Sequence, residues 1–173
     1  RFVGADEFLN GDERWCLWLV DEAPAEFRRM RGVMDRVEAV AIYRRNSKRA
    51  TTQDLANVPA CFGEIRQPDR TYLLIPSVSS ERRRYIPIGF MRPEIIASNL
   101  VLMVPDAKLY HFGVLSSAMH MAWVRQVCGR LESRYRYSNR IVYNNYPWPV
   151  EPSEANRSRV EEAGQCVLDL RRE

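Results

Sequence analysis

Apolar positions along the chain follow two periods. Between residues 24 and 45, Phe27, Met30, Val33, Met34, Val37, Val40 and Ala41 recur at three- and four-residue spacing, which predicts one helix from Pro24 to about Arg45. Proline suits the first turn of that helix. Residues 112–131 repeat the pattern with Phe112, Leu115, Met119, Ala122, Trp123 and Val127. Their other face is also fairly apolar, so this second helix is expected to be buried on two sides. Ser153 can cap a last helix running from Glu154 to Arg171. Short β-branched and aromatic runs predict strands at 14–20 (behind the turn Asn10-Gly11-Asp12), 62–67, 72–75, 85–88 and 100–104. Two more, 135–137 and 141–143, flank a Ser138-Asn139 turn, and residues 52–56 and 93–96 read as short helical turns. The expected class is α+β: mixed, mainly antiparallel sheet elements packed with two long helices and a C-terminal helix.

The segment 71–90, TYLLIPSVSSERRRYIPIGF, is the most informative. Its apolar runs 72–75 and 85–88 read as paired strands around a polar loop. That loop carries Ser79, Ser80, Glu81, Arg82, Arg83 and Arg84, so it offers hydroxyl, carboxylate and guanidinium groups from a stiff support. Such groups can bind phosphates and also read base edges, because arginine pairs with guanine and glutamate accepts from cytosine. A solvated hairpin tip that keeps a sheet edge soluble is the plainer reading. Both stand at this point.

Charge adds to the picture through its distribution. The chain of 173 residues carries a net charge of only +4. Arg28, Arg29, Arg31, Arg36, Arg44, Arg45, Lys48 and Arg49 are opposed locally by Asp35 and Glu38 alone. Arg125, Arg130, Arg134, Arg136 and Arg140 are opposed by Glu132 alone, while both ends of the chain are more acidic. A basic centre of this kind suits a polyanion; solvated helix faces would look similar.

Enzymatic chemistry finds little support. There is no dinucleotide or phosphate-binding glycine loop and no nucleophile elbow. His111 and His120 read as structural histidines. Glu64-Ile65-Arg66 lacks the lysine and upstream acid of a nuclease element. Cys16, Cys61, Cys128 and Cys166 are too dispersed for a zinc site and read as small buried hydrophobes in a reduced, intracellular protein. No apolar run approaches the ~20 residues of a membrane helix. Tyr143-Asn144-Asn145-Tyr146-Pro147-Trp148-Pro149 has the wrong order for the Asn-Pro-Pro-Tyr motif of amino-methylating enzymes and reads as a rigid aromatic corner. The chain begins at Arg1 and ends mid-pattern, as a piece of a longer protein would.

The chain resembles the target-recognition domain of the MmeI-like group of fused, single-chain restriction–modification methyltransferases. The segments that carry the resemblance are Phe8-Leu9-Asn10-Gly11 with Arg14-Trp15-Cys16-Leu17-Trp18-Leu19, Tyr72-Leu73-Leu74-Ile75-Pro76 with Ser79-Ser80-Glu81-Arg82-Arg83, and Tyr85-Ile86-Pro87. They continue through Leu109-Tyr110-His111-Phe112-Gly113 with Leu115-Ser116-Ser117, and Tyr137-Ser138-Asn139 with residues 141–149. The resemblance implies a parent with a nuclease segment needing a divalent metal and an adenine-N6 methyltransferase domain using S-adenosylmethionine. Neither activity nor either cofactor is expected in this piece. Residues 1–150 would be the recognition domain, and 151–173 the start of a C-terminal helical segment.

The implied task is to grip double-stranded DNA in the cytoplasm and hold a target adenine in register for the methyltransferase domain of the same chain, with no membrane involved. Candidate base readers are Ser79, Ser80, Glu81, Arg84, Asn99 and Lys108. Candidate backbone contacts are Arg44, Arg45, Lys48, Arg49, Arg82, Arg83, Arg134, Arg136 and Arg140. Two other classes remain open on the residues alone. One is a protein–protein module anchored by Trp15, Trp18 and Trp148; the other is an independent small enzyme.

Overall fold

The computed structural model describes residues 1–20 and 22–171. They form two compact units, Arg1–Arg14 with Gln67–Glu173, and Trp15–Arg66. In chain order the elements begin with β1 (Phe2–Val3), α1 (Ala5–Asn10), α2 (Pro24–Phe27), α3 (Arg31–Arg45), α4 (Ala50–Asp54), β2 (Tyr72–Pro76) and β3 (Val78–Ser79). There follow β4 (Gly89–Met91), β5 (Ile96–Ala97), β6 (Val101–Pro105), α5 (Leu109–Leu115), α6 (Ala118–Val127), β7 (Gly129–Leu131), β8 (Arg134–Arg136) and α7 (Glu154–Leu170). The mixture of helices with chiefly antiparallel sheets is the expected α+β class; the pair β1–β5 is parallel.

The larger unit is organised around β2. Its five residues are all buried, and it pairs antiparallel with β4 on one side and β6 on the other. Alternate side chains leave a strand on opposite faces. Leu73 and Ile75 accordingly join Phe112, Leu115 and Val124 in one core, while Tyr72 and Leu74 join Val3 and Val101 in another. A strand covered on both faces reads as an unbroken apolar run, which is why it was visible in the sequence.

Its partner was not. The expected hairpin between 72–75 and 85–88 is replaced by a ladder in which Leu73 faces Phe90 and Leu74 faces Gly89. Pro87 has no N–H to give a ladder, and Ile86 and Ile88 are buried by packing instead. Gly89 also lets Phe8 approach: an added Cβ would stand 2.9 Å from the Phe8 ring.

Both long helices are broken. The first stops after Phe27, and Met30 is extended (φ −93°, ψ 95°) before α3 begins. Arg28 and Arg31 would repel at three-residue spacing, and Gly32 costs about 1 kcal/mol in a helix. The second breaks at Ser116-Ser117, where Ser117 accepts from the His120 N–H and caps α6. It ends at Cys128, and residues 129–131 are strand rather than helix. Residues 14–20 and 62–67 are irregular rather than strands, and of 93–96 the first three form a turn while Ile96 already begins β5. Residues 141–143 lie in a π-helical turn, Asn139–Tyr143, capped by Ser138. Residues 50–57 do form a short helix. Ser153 caps α7 as expected, accepting from the Asn156 N–H. α7 lies so close to α5 that a Cβ at Gly113 would stand 2.6 Å from the Val160 carbonyl oxygen. Of the cysteines, Cys128 alone is buried; Cys16 and Cys61 are half-buried and Cys166 is exposed, against the expectation of four buried thiols.

Candidate nucleic-acid interface

The third sheet brings together parts of the chain that lie nearly sixty residues apart. β8 is its central strand, flanked by β3 and β7. Val78 faces Arg136 and Ser79 faces Tyr135 across one ladder; Leu131 faces Arg134 across the other. Within β8 the alternation Arg-Tyr-Arg puts Tyr135 inward, 5% exposed, and leaves Arg134 and Arg136 on the outer face. The polar loop after β3 and the second basic cluster therefore share one surface.

The same alternation corrects one candidate. Ser79 stands opposite Tyr135 and is 2% exposed, with no hydrogen-bond partner for its hydroxyl. It is part of the support and cannot reach a base edge from this position. Ser80 shapes the loop: its hydroxyl accepts from the Arg82 N–H and its carbonyl from the Arg83 N–H. Residues 81–84 are all exposed. The Glu81 carboxyl is held below the usual carboxylate range, first by its own backbone N–H. Burial acts in the opposite direction, and the Ser133 hydroxyl with the charges of Arg82 and Arg130 adds to the lowering. Ser133 lies in the turn between β7 and β8, so the loop and the hairpin touch there. Arg84 lies over the Tyr85 ring at 5.6 Å.

The hairpin gives particular places to residues that the sequence showed only as members of a basic cluster. Arg130 stacks on Tyr135 at 4.0 Å and donates to the Ser133 carbonyl. Glu132, at φ +58°, holds Arg134 through a 2.9 Å contact. A two-residue turn followed by alternating Arg-Tyr-Arg-Tyr was the available signal. Arg140 is exposed on the π-helical turn, where its carbonyl accepts from the Asn145 amide.

The remaining candidates separate. Asn99 is exposed beside Leu100, whose carbonyl accepts from the Ser77 N–H just ahead of β3. It therefore sits at the hairpin end of the β2–β6 ladder. Lys108 sits at the other end, where the Asp106 N–H bonds the Thr71 carbonyl, about 13 Å away along a five-residue strand. Its ammonium is held by Asp106 at 2.8 Å, and this hydrogen bond and charge keep the Asp106 carboxyl below its ordinary value. Lys108 thus does not belong with the loop. Arg44 is committed elsewhere: its guanidinium donates to the carbonyls of Leu55, Val58 and Cys61. It ties α3 to the following turns rather than waiting for a phosphate. Arg45 pairs with Glu38, and Lys48 and Arg49 are exposed in the same smaller unit.

Both histidines are structural. His111 accepts from the Lys108 N–H at the start of α5. His120 meets the Tyr137 hydroxyl at 3.0 Å and packs edge-on against Tyr146. Burial pushes its imidazole from 6.5 down to about 4 and pushes the Tyr137 hydroxyl up. Among the described residues, no three His, Cys, Asp or Glu side chains are grouped to hold a metal, and no helix is long and apolar enough to cross a membrane.

Residues 1–150 match the family described as MmeI, target recognition domain. The chain belongs to that family. Along its whole length the chain is 39% identical to DNA methyltransferase A of Bacillus subtilis (strain 168), and the match takes in 20% of that relative. A solved structure of the type IIL restriction–modification enzyme MmeI in complex with DNA is 47% identical and superposes with a TM-score of 0.95, over 99% of this chain and 23% of that one. The chain thus spans about a fifth of the length of these relatives.

Proposed function

We propose that this domain grips duplex DNA and reads a short sequence with the face made by β3, β8, β7 and the loop 80–84. The observation that carries the reading is the convergence of two basic stretches onto one sheet. A two-stranded ribbon fits the major groove, and the β7–β8 hairpin, with β3 paired alongside, offers an arginine-bearing outer face. Base reading needs forked side chains on rigid backbone. Arg134 and Arg136 stand on a strand laddered on both sides, and Arg134 is oriented further by Glu132. We therefore move these two from phosphate contact to base reading, with Glu81, Arg84 and Asn99 beside them. Arg82, Arg83 and Arg140, on turns, suit phosphates, which set register without carrying sequence.

The domain then acts as the recognition part of a longer cytoplasmic enzyme. That parent would methylate adenine N6 with S-adenosylmethionine and cut DNA with a divalent metal, using parts outside these residues. Recognition would end near residue 150, with α7 leading into a helical segment.

A fluorescence-anisotropy titration with duplex DNA at two salt concentrations tests the reading. Expected is a Kd on the order of 10⁻⁴–10⁻⁶ M for nonspecific duplex near physiological salt, tightening steeply as salt falls. Absence of binding at low salt, or binding indifferent to salt, would contradict it.

A further inference from the structure

We propose that the Trp15–Arg66 unit is a docking arm whose apolar groove receives the methyltransferase part of the same parent chain. The inference rests on the reading above that the parent is a larger methyltransferase.

The first observation is what the unit lacks. Among the described residues, its buried apolar side chains are Val37, Ala41 and Ala56. Neither of the two cores around β2 draws on it, nor does the smaller cluster of Tyr110, Val114 and Tyr146. Yet it holds eight of the fifteen exposed large apolar side chains, in under a third of the chain. A body this small with so thin a core is marginal in water and needs a covering surface.

The second observation is where a cover would fit. A groove of ≈ 410 Å³ runs along α3, walled by Val40 and Ala39 on the helix and by Leu17, Leu19, Pro59 and Phe62 opposite. Its cations are Arg36 and Arg44, and the Arg44 guanidinium is already donated to three carbonyls. The rest of the lining is chiefly apolar, which suits an apolar protein surface.

The third observation concerns mounting. The chain leaves the larger unit at Arg14, whose carbonyl accepts from the Phe2 N–H of β1 at 2.7 Å. It returns at Gln67, whose amide donates to the Ile95 carbonyl and accepts from the Ala97 N–H of the paired β5. Both attachment points are pinned to one β pair, so the unit is an insertion in the chain of the larger one.

The relatives point to an occupant on the same polypeptide. This chain covers 20% of one and 23% of the other, so most of such an enzyme lies outside it on the same polypeptide. A tethered domain reaches effective concentrations of about millimolar, which a free second copy does not match.

The test uses the full-length parent without DNA, so that it stands apart from DNA reading. A photocrosslinking amino acid, p-benzoylphenylalanine, replaces Val40, with the same replacement at exposed Val150 as the control. The expected product is an intramolecular adduct from position 40 to the methyltransferase part, absent from the control. An adduct to a second copy, an adduct confined to these 173 residues, or none at all would overturn the proposal. Full-length V40D, followed by hydrogen exchange, gives an independent readout. Exchange on the order of tenfold faster in α3 and also in a methyltransferase segment is expected; a change confined to α3 would overturn it. An R136A variant that binds DNA unchanged while the adduct is retained would overturn the DNA reading and leave this one standing; loss of the adduct with DNA binding still weakened by R136A would overturn this one alone.

Discussion

The two units of this molecule solve the problem of staying folded in opposite ways. The larger one closes two apolar layers over β2, with Tyr72, Leu73, Leu74 and Ile75 all fully buried. The smaller one has α3 as its main helix, with Val37 and Ala41 its buried residues and Ile42 and Tyr43 facing outward. The difference assigns tasks. Arginines that must meet base edges at fixed positions belong on the unit with the rigid core, and that is where Arg134 and Arg136 stand. A unit that exposes apolar surface is better suited to meeting protein.

The sharpest way to break this comparison is to remove one buried side chain from each unit. Phe112 is fully buried between the sheet and the helices. Phe112→Ala is expected to cost about 3–5 kcal/mol of global stability, measured by denaturant unfolding. Val37→Ala should leave the unfolding of the larger unit within about 0.5 kcal/mol of the parent and loosen only residues 15–66 in hydrogen exchange. Equal global losses would mean that the two units share one core.

A somewhat smaller effect is expected from acid. His120 is 1% exposed, and burial moves its folded value from 6.5 to about 4, so the folded state binds the proton less readily than the unfolded chain. Its contribution is therefore fully present above pH 6.5 and is lost as pH falls through the window to about 4. The loss amounts to roughly 3 kcal/mol over that window. It should appear in the larger unit and be flattened by His120→Phe, with pH-dependent thermal unfolding as the measurement. A pH profile unchanged by the substitution would place the titration elsewhere.

How much could be read beforehand depends on the range of the interaction. β2 was legible because burial on both faces leaves an unbroken apolar run, and α7 because Ser153 caps it locally. The helix breaks at Arg28–Met30 and Ser116-Ser117 were not, because apolar spacing carries straight across them. The register of β2 against Gly89–Met91 hid behind Pro87, since a proline-bearing run can look like a strand and pair with nothing. The interface was half legible. Its residue types and basic clusters were there to see, but the ladder joining Val78 to Arg136 is long-range and leaves no mark on local spacing. For the same reason Ser79 read as a reader while packing inward, and Arg44 read as free while tying three carbonyls. Which face a side chain takes is decided by its partner strand.

The central claim is that strand-mounted arginines read bases while loop-mounted arginines hold phosphates. Sequencing of modified sites in the full-length parent, alongside salt-dependent binding, tests it most directly. Arg134→Ala is predicted to change the preference at particular base pairs, with roughly 1–3 kcal/mol of discrimination lost. Arg82→Ala and Arg83→Ala are predicted to weaken binding to all sequences alike and to lower the salt slope by about one unit per lost phosphate contact. An Arg134 variant that keeps its site unchanged, with Arg82 or Arg83 variants that alter theirs, would contradict the account.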